Sequence, residues 1–101
     1  MPKVCRKDDS LTTGHICAAT TILDTPKQGT VYANGILVAR ETDPTVSHPF
    51  PPSPPCAPHV AVVNKGSRNV FVVGLPVARV TDSADAGAMT SGSPDVYANG
   101  V

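Results

Sequence analysis

Hydrophobic positions in this chain come in runs of about four residues, each closed by glycine, proline or a polar pair. Thr30-Val31-Tyr32-Ala33 and Ile36-Leu37-Val38-Ala39 flank Asn34-Gly35, a pair that tolerates the two positive φ angles of a type I′ turn and so predicts a tight hairpin. Val70-Phe71-Val72-Val73 and Leu75-Pro76-Val77-Ala78 flank Gly74 in the same way. A β-branched Val73 resists positive φ, so the expectation there is another turn type with only Gly74 left-handed. No window is long enough for an amphipathic helix, and helix content near zero is expected. With 14 Val and only 4 aromatic residues, the core must be built from small and β-branched side chains, which favour strands.

The runs repeat. Gly29-Thr-Val31-Tyr32-Ala33-Asn34-Gly35-Ile36-Leu37-Val38-Ala39-Arg40-Glu-Thr-Asp43 recurs as Gly66-Ser-Arg-Asn-Val70-Phe71-Val72-Val73-Gly74-Leu75-Pro76-Val77-Ala78-Arg79-Val-Thr-Asp82. A third copy is split. Gly92-Ser-Pro-Asp-Val96-Tyr97-Ala98-Asn99-Gly100-Val101 supplies its first half, and Val4-Cys5-Arg6-Lys-Asp-Asp9 at the other end of the chain supplies the second. Repeats of this period ordinarily stack into open arrays, but a unit shared by both ends implies a closed body with pseudo-three-fold symmetry, shaped to meet a homotrimer end on. Pairing between the two ends would also hide strand edges. Arg6/Asp9, Arg40/Asp43 and Arg79/Asp82 recur in phase, which points to a bidentate structural clamp at each strand end.

At 101 residues the chain reads as one domain, residues 1–101, near the size at which a core needs a staple. Its 8 basic and 8 acidic residues cancel, and no basic cluster interleaved with aromatics appears, so nucleic acid is not an expected partner. The N-terminal stretch is charged where a signal peptide needs an apolar run, and no segment approaches membrane-spanning length. A soluble protein made in the cytoplasm is expected. Three Cys is an odd number without regular spacing, which argues for individual roles such as metal binding over a disulfide framework.

Between the first two copies, residues 43–59 hold 7 of the 11 Pro together with His48, Cys56 and His59. By composition this is a polyproline linker, yet a long structureless loop inside a compact domain is usually functional or tied down. His15 follows Asp9 much as His48 follows Asp43, so repeat symmetry brings equivalent junctions toward one axis. His15, His48, His59 and one thiolate can then surround a single ion, a set suited to tetrahedral zinc and, with every position filled by protein, structural in role. Cys17 competes with Cys56 for the thiolate position; Cys56, beside two other candidates in a kinked loop, is favoured. Cys5 occupies the slot of Ala39 and Ala78 and reads as a small buried core residue. A thiol hydrolase built on Cys56 and His59 lacks any visible means of lowering the thiol pKa or of forming an oxyanion hole, so no enzyme is expected.

The second copy, with Pro76-Val77-Ala78-Arg79, resembles the Pro-Ala-Ala-Arg signature of PAAR-repeat proteins, Val77 replacing the first Ala. Ile36-Leu37-Val38-Ala39-Arg40 departs further by lacking Pro, and the Gly92 to Gly100 element and the His-rich junction extend the likeness over essentially the whole chain. The resemblance implies a small conical all-β fold of short hairpins with a zinc site (iron the alternative) near its apex, one ion per chain, held by His15, His48, His59 and Cys56. It also implies a flat base seated on the trimeric β-helical spike of a contractile phage tail or a type VI secretion system. The protein would be monomeric alone, one copy per spike trimer, touching the target envelope transiently. The absence of a fused effector favours a virion tip, with the bacterial cytoplasm and type VI export as the alternative. A metal-stabilised β module that decorates a capsid or binds another trimer is the competing expectation.

Overall fold

The computed structural model describes residues 2–15, 17–50 and 57–98, which form ten short strands and no helix. In chain order these are β1 (Ser10–Thr12), β2 (Thr20–Ile22), β3 (Tyr32–Ala33), β4 (Ile36–Leu37), β5 (His48–Phe50), β6 (Ala57–His59), β7 (Phe71–Val72), β8 (Leu75–Pro76), β9 (Ser83–Ala84) and β10 (Gly87–Ala88). Each pairs antiparallel with its sequence neighbour, giving five hairpins. The body is elongated, 40 × 25 × 22 Å.

A closed ring of backbone hydrogen bonds organises the hairpins. The Cys5 N–H donates to Ala78 O at 2.8 Å, Ala78 N–H to Ala39 O at 2.9 Å, and Ala39 N–H back to Cys5 O at 3.0 Å. A second ring runs outside it, from Lys7 to Leu37, Glu41 to Pro76 and Val80 to Lys3, at 2.8–2.9 Å. The split third copy is thus completed by the two ends of the chain. Val4 N–H donates to Val96 O at 2.9 Å and Ala98 N–H to Pro2 O at 3.0 Å, so the edge that each end would otherwise expose is paired.

Adjacent strand residues face opposite ways, and the ring therefore separates two apolar layers. Val4, Val38 and Val77 pack with Ala33, Val72 and Ala98 on one side. Cys5, Ala39 and Ala78 pack with Leu11, Leu23, Val63, Ala84 and Met89 on the other. Burial of Cys5, at 0% exposed, agrees with the alanines in its sister slots, and the same burial pushes its thiol pKa well up. Within the second layer the bridges Leu11↔Met89, Leu23↔Thr45 and Val63↔Ala84 tie the remaining hairpins to one another.

All three Arg-x-x-Asp elements form the expected clamp. In each, the Arg backbone N–H and Nε both donate to one Asp oxygen, at 2.7 and 3.1 Å for Arg6/Asp9, 2.8 and 3.2 Å for Arg40/Asp43, and 2.9 and 2.9 Å for Arg79/Asp82. The clamp holds a backbone that resists its own conformation. Asp8, Thr42 and Thr81, one residue before each Asp, have φ of 72°, 76° and 79°, a region costly for the two β-branched Thr.

The expectation for the second hairpin turn is corrected. Val73 and Gly74 have φ of 47° and 81°, close to the 56° and 77° of Asn34 and Gly35, so both hairpins use two positive φ angles despite the branched side chain. A two-residue connection must match the twist of its strands. That requirement, with Arg40 Nη1 donating to Val73 O at 3.1 Å, overrides the local preference of valine.

Candidate metal centre

Strand pairing joins the described flanks of the Pro-rich segment, His48–Phe50 and Ala57–His59. His48 lies directly opposite His59 in the β5–β6 register, and residues opposite each other on one face come within side-chain reach. Their rings meet edge to face with centroids 4.7 Å apart. His15 arrives from the connection between β1 and β2, its ring stacked on that of His48 at 5.3 Å and 6°. Gly14, at φ 73°, lets this connection pass against the β9–β10 turn, since a Cβ there would lie 2.1 Å from Ala86 O.

The three sequence-expected histidines therefore converge, and a fourth group joins them that the sequence reading did not include. Asp85, at the turn between β9 and β10, places Oδ2 2.8 Å from His15 Nε2, 2.8 Å from His48 Nε2 and 3.4 Å from His59 Nε2. The four ligand atoms lie within 4.8 Å of one another, a grouping that could hold a metal ion. Cys56, expected as the thiolate ligand, lies outside the described residues. Cys17, its competitor, is disulfide-bonded, contrary to the expectation of individual cysteine roles, and so offers no thiolate.

The donor set fits a cation. His48 Nδ1 stands 2.9 Å from the Val46 carbonyl, which can only accept, so this nitrogen carries a proton and orients the ring as ligating histidines are oriented. In the neutral ring Nε2 then presents a lone pair toward a carboxylate oxygen, acceptor against acceptor. The same oxygen, with two lone pairs, also faces the Nε2 atoms of His15 and His59. A positive ion among these atoms resolves the conflict at His48. Burial alone would raise the Asp85 pKa, but the imidazoles of His48 and His15 beside the carboxylate outweigh it and hold the carboxyl below its ordinary value.

Asp85 was hidden because the repeat pattern is traceable only as far as Asp82, and the third junction has no histidine to match His15 and His48. A signal existed in the hairpin length. With two residues between β9 and β10, the third arm turns at the level of the histidines, and Asp is among the residues that accept positive φ, here 53°.

A family model, the PAAR motif, matches residues 8–89. The chain belongs to the PAAR motif family. That motif is associated with spike-tip proteins of contractile injection systems, a structural family and not an enzymatic one. No curated protein matched the sequence. The PAAR match begins within the first clamp and ends at Met89, and so takes in all four residues of the His/Asp cluster.

Proposed function

We propose that this protein is the tip of a contractile injection machine and caps its trimeric β-helical spike, one copy per trimer. The observation that carries the reading is a three-fold set of exposed aromatic side chains. Tyr32, Phe71 and Tyr97 hold equivalent positions in the three copies and are 57%, 58% and 47% exposed. Each precedes a buried core residue, Ala33, Val72 or Ala98, and so points away from the layer that lies opposite the histidine end. Three equivalent apolar contacts on a pseudo-three-fold body match three equivalent chains once, and the flanking strands offer edges for β-augmentation.

The role is mechanical and not catalytic. His15, His48 and His59 hold one structural ion, zinc or iron, that joins two arms with little core between them, and a metal cross-link of this kind adds folding free energy directly. A rigid metal-pinned end meets the target envelope transiently, while the aromatic end stays on the spike. A phage tail, assembled in the host cytoplasm and carried in the virion, is the setting proposed; a type VI secretion spike presents the same trimeric end.

Mixing the purified protein with a trimeric β-helical spike and measuring the mass of the complex tests this reading. One copy per three spike chains is expected, with Tyr32→Asp and Phe71→Asp each weakening the complex. No binding, or three copies per trimer, overturns it.

A further inference from the structure

We propose that Asp85 is the fourth ligand of the ion, so that the centre is a three-imidazole, one-carboxylate site to which all three repeats contribute. The inference rests on the reading that the histidines hold a metal, and specifies its donor set. His15 comes from the first junction, His48 and His59 from the second, and Asp85 from the third.

Vertex geometry carries the argument. With metal–nitrogen and metal–oxygen distances of about 2.0–2.2 Å, neighbouring ligand atoms of a tetrahedron stand roughly 3.3–3.5 Å apart. Asp85 Oδ2 is 3.4 Å from His59 Nε2, a vertex distance, and 2.8 Å from His15 and His48 Nε2, about 0.5 Å short of one, so a small outward shift of the carboxylate would seat an ion among all four atoms. The carboxylate is also built into place. Asp85 N–H donates to Val62 O at 3.0 Å, and its carbonyl accepts from Asn64 Nδ2 at 2.7 Å. Ala86 N–H donates to Thr13 O at 2.9 Å, joining this turn to the arm that carries His15. With its side chain 6% exposed, Asp85 is largely withdrawn from solvent. Imidazole and carboxylate donors without sulfur suit zinc and ferrous iron alike, and are harder than a set containing thiolate.

Cobalt(II) loaded into the chelator-stripped full-length protein reads the donor set. The expected spectrum has visible d–d bands without the near-ultraviolet thiolate-to-cobalt charge-transfer band, and is the same in the Cys17→Ser/Cys56→Ser double variant. Asp85→Asn should weaken cobalt and zinc binding by more than the 10–100-fold typical of losing an outer-shell partner. Asp85→Cys should restore binding and add the missing charge-transfer band, which keeps the test decisive if the Asn variant folds poorly. A charge-transfer band in the wild type that the double serine variant abolishes, with Asp85→Asn binding as wild type, overturns the proposal. Failure of the wild type to take up stoichiometric cobalt or zinc overturns the metal reading beneath it and is distinguishable from the first failure.

Discussion

The side-chain amide of Gln28 donates to the backbone carbonyl of Val38 at 2.9 Å, and in doing so replaces a backbone contact made in the other two copies. There Ser67 N–H donates to Val77 O and Ser93 N–H to Val4 O, both at 2.8 Å. Gln28 Oε1 also accepts from Thr30 and Val31 N–H, as Ser67 Oγ does from Asn69 and Val70. One polar side chain thus preserves the three-fold symmetry where the repeat sequence lapses.

Gln28→Ala should therefore cost about 2–4 kcal/mol, since it leaves buried backbone groups unsatisfied in addition to removing hydrogen bonds. Gln28→Glu should cost at least as much, because it loses both amide donors and buries a charge. Urea unfolding measures both; a loss under about 0.5 kcal/mol for Gln28→Ala would show that the amide is dispensable.

The clamps should differ in weight according to burial. The Arg79 and Asp82 side chains are 3% and 9% exposed, against 13% and 9% for Arg6 and Asp9. Removing one partner of a buried pair strands the other, at about 3–5 kcal/mol, so Asp82→Asn should destabilise more than Asp9→Asn. Equal losses in denaturant unfolding would show that solvent does not distinguish the pairs.

Much of this was legible in the sequence because a repeat fixes geometry that a single element does not. Equivalent positions Val4/Val38/Val77 and Cys5/Ala39/Ala78 had to share a layer once the third copy was recognised as split, and the histidine convergence followed from equivalent junctions. What escaped the reading lies where the repeat breaks. Gln28 precedes the repeat glycine and substitutes for a backbone group, which no residue pattern announces. Asp85 acts through an arm shorter than its sisters, and Val73 yields to the twist of its strands. Each is a tertiary demand overriding or escaping local preference.

Metal removal should reveal what the histidines contribute. In metal-loaded protein His48→Ala should lower Tm strongly by detaching the β5–β6 hairpin, while Cys5→Ala, matching its two sister positions, should be mild. After chelation the His48→Ala and wild-type melting curves should approach each other, since the cross-link is then absent from both. Thermal melts with and without chelator check this, and an undiminished difference after chelation would assign His48 a packing role instead.

The metal-free protein should be acid-labile in a way traceable to Asp85. Its carboxyl pKa is depressed in the folded state, below the ordinary 3.8, so the folded protein binds fewer protons there than the unfolded chain. The resulting stability is fully present above the unfolded pKa and is lost as pH falls through the folded pKa. Asp85→Asn should flatten that acid limb below the ordinary carboxyl value of 3.8 in the chelated protein, whatever it does at neutral pH. An acid limb of equal slope in wild type and variant would place the titrating group elsewhere.

Deleting residues 96–101 removes the Val96 carbonyl that accepts from Val4 N–H and the Ala98 N–H that donates to Pro2 O. It also takes Ala98, 2% exposed, out of the layer beside Val4, Val38 and Val77. The strand around Val4 would keep its bond from Cys5 to Ala78 but lose its hairpin partner and become an open edge, prone to pair with another chain. Tyr97 goes too, so a partner with three equivalent chains would find only Tyr32 and Phe71. The truncated protein should therefore aggregate or unfold, and any soluble fraction should fail to bind a trimeric spike. Size-exclusion chromatography and amide hydrogen exchange report the two effects separately. A monomeric truncated protein, protected around the Cys5–Ala39–Ala78 ring and still binding one copy per trimer, would mean that the paired ends are ornamental to the closed body.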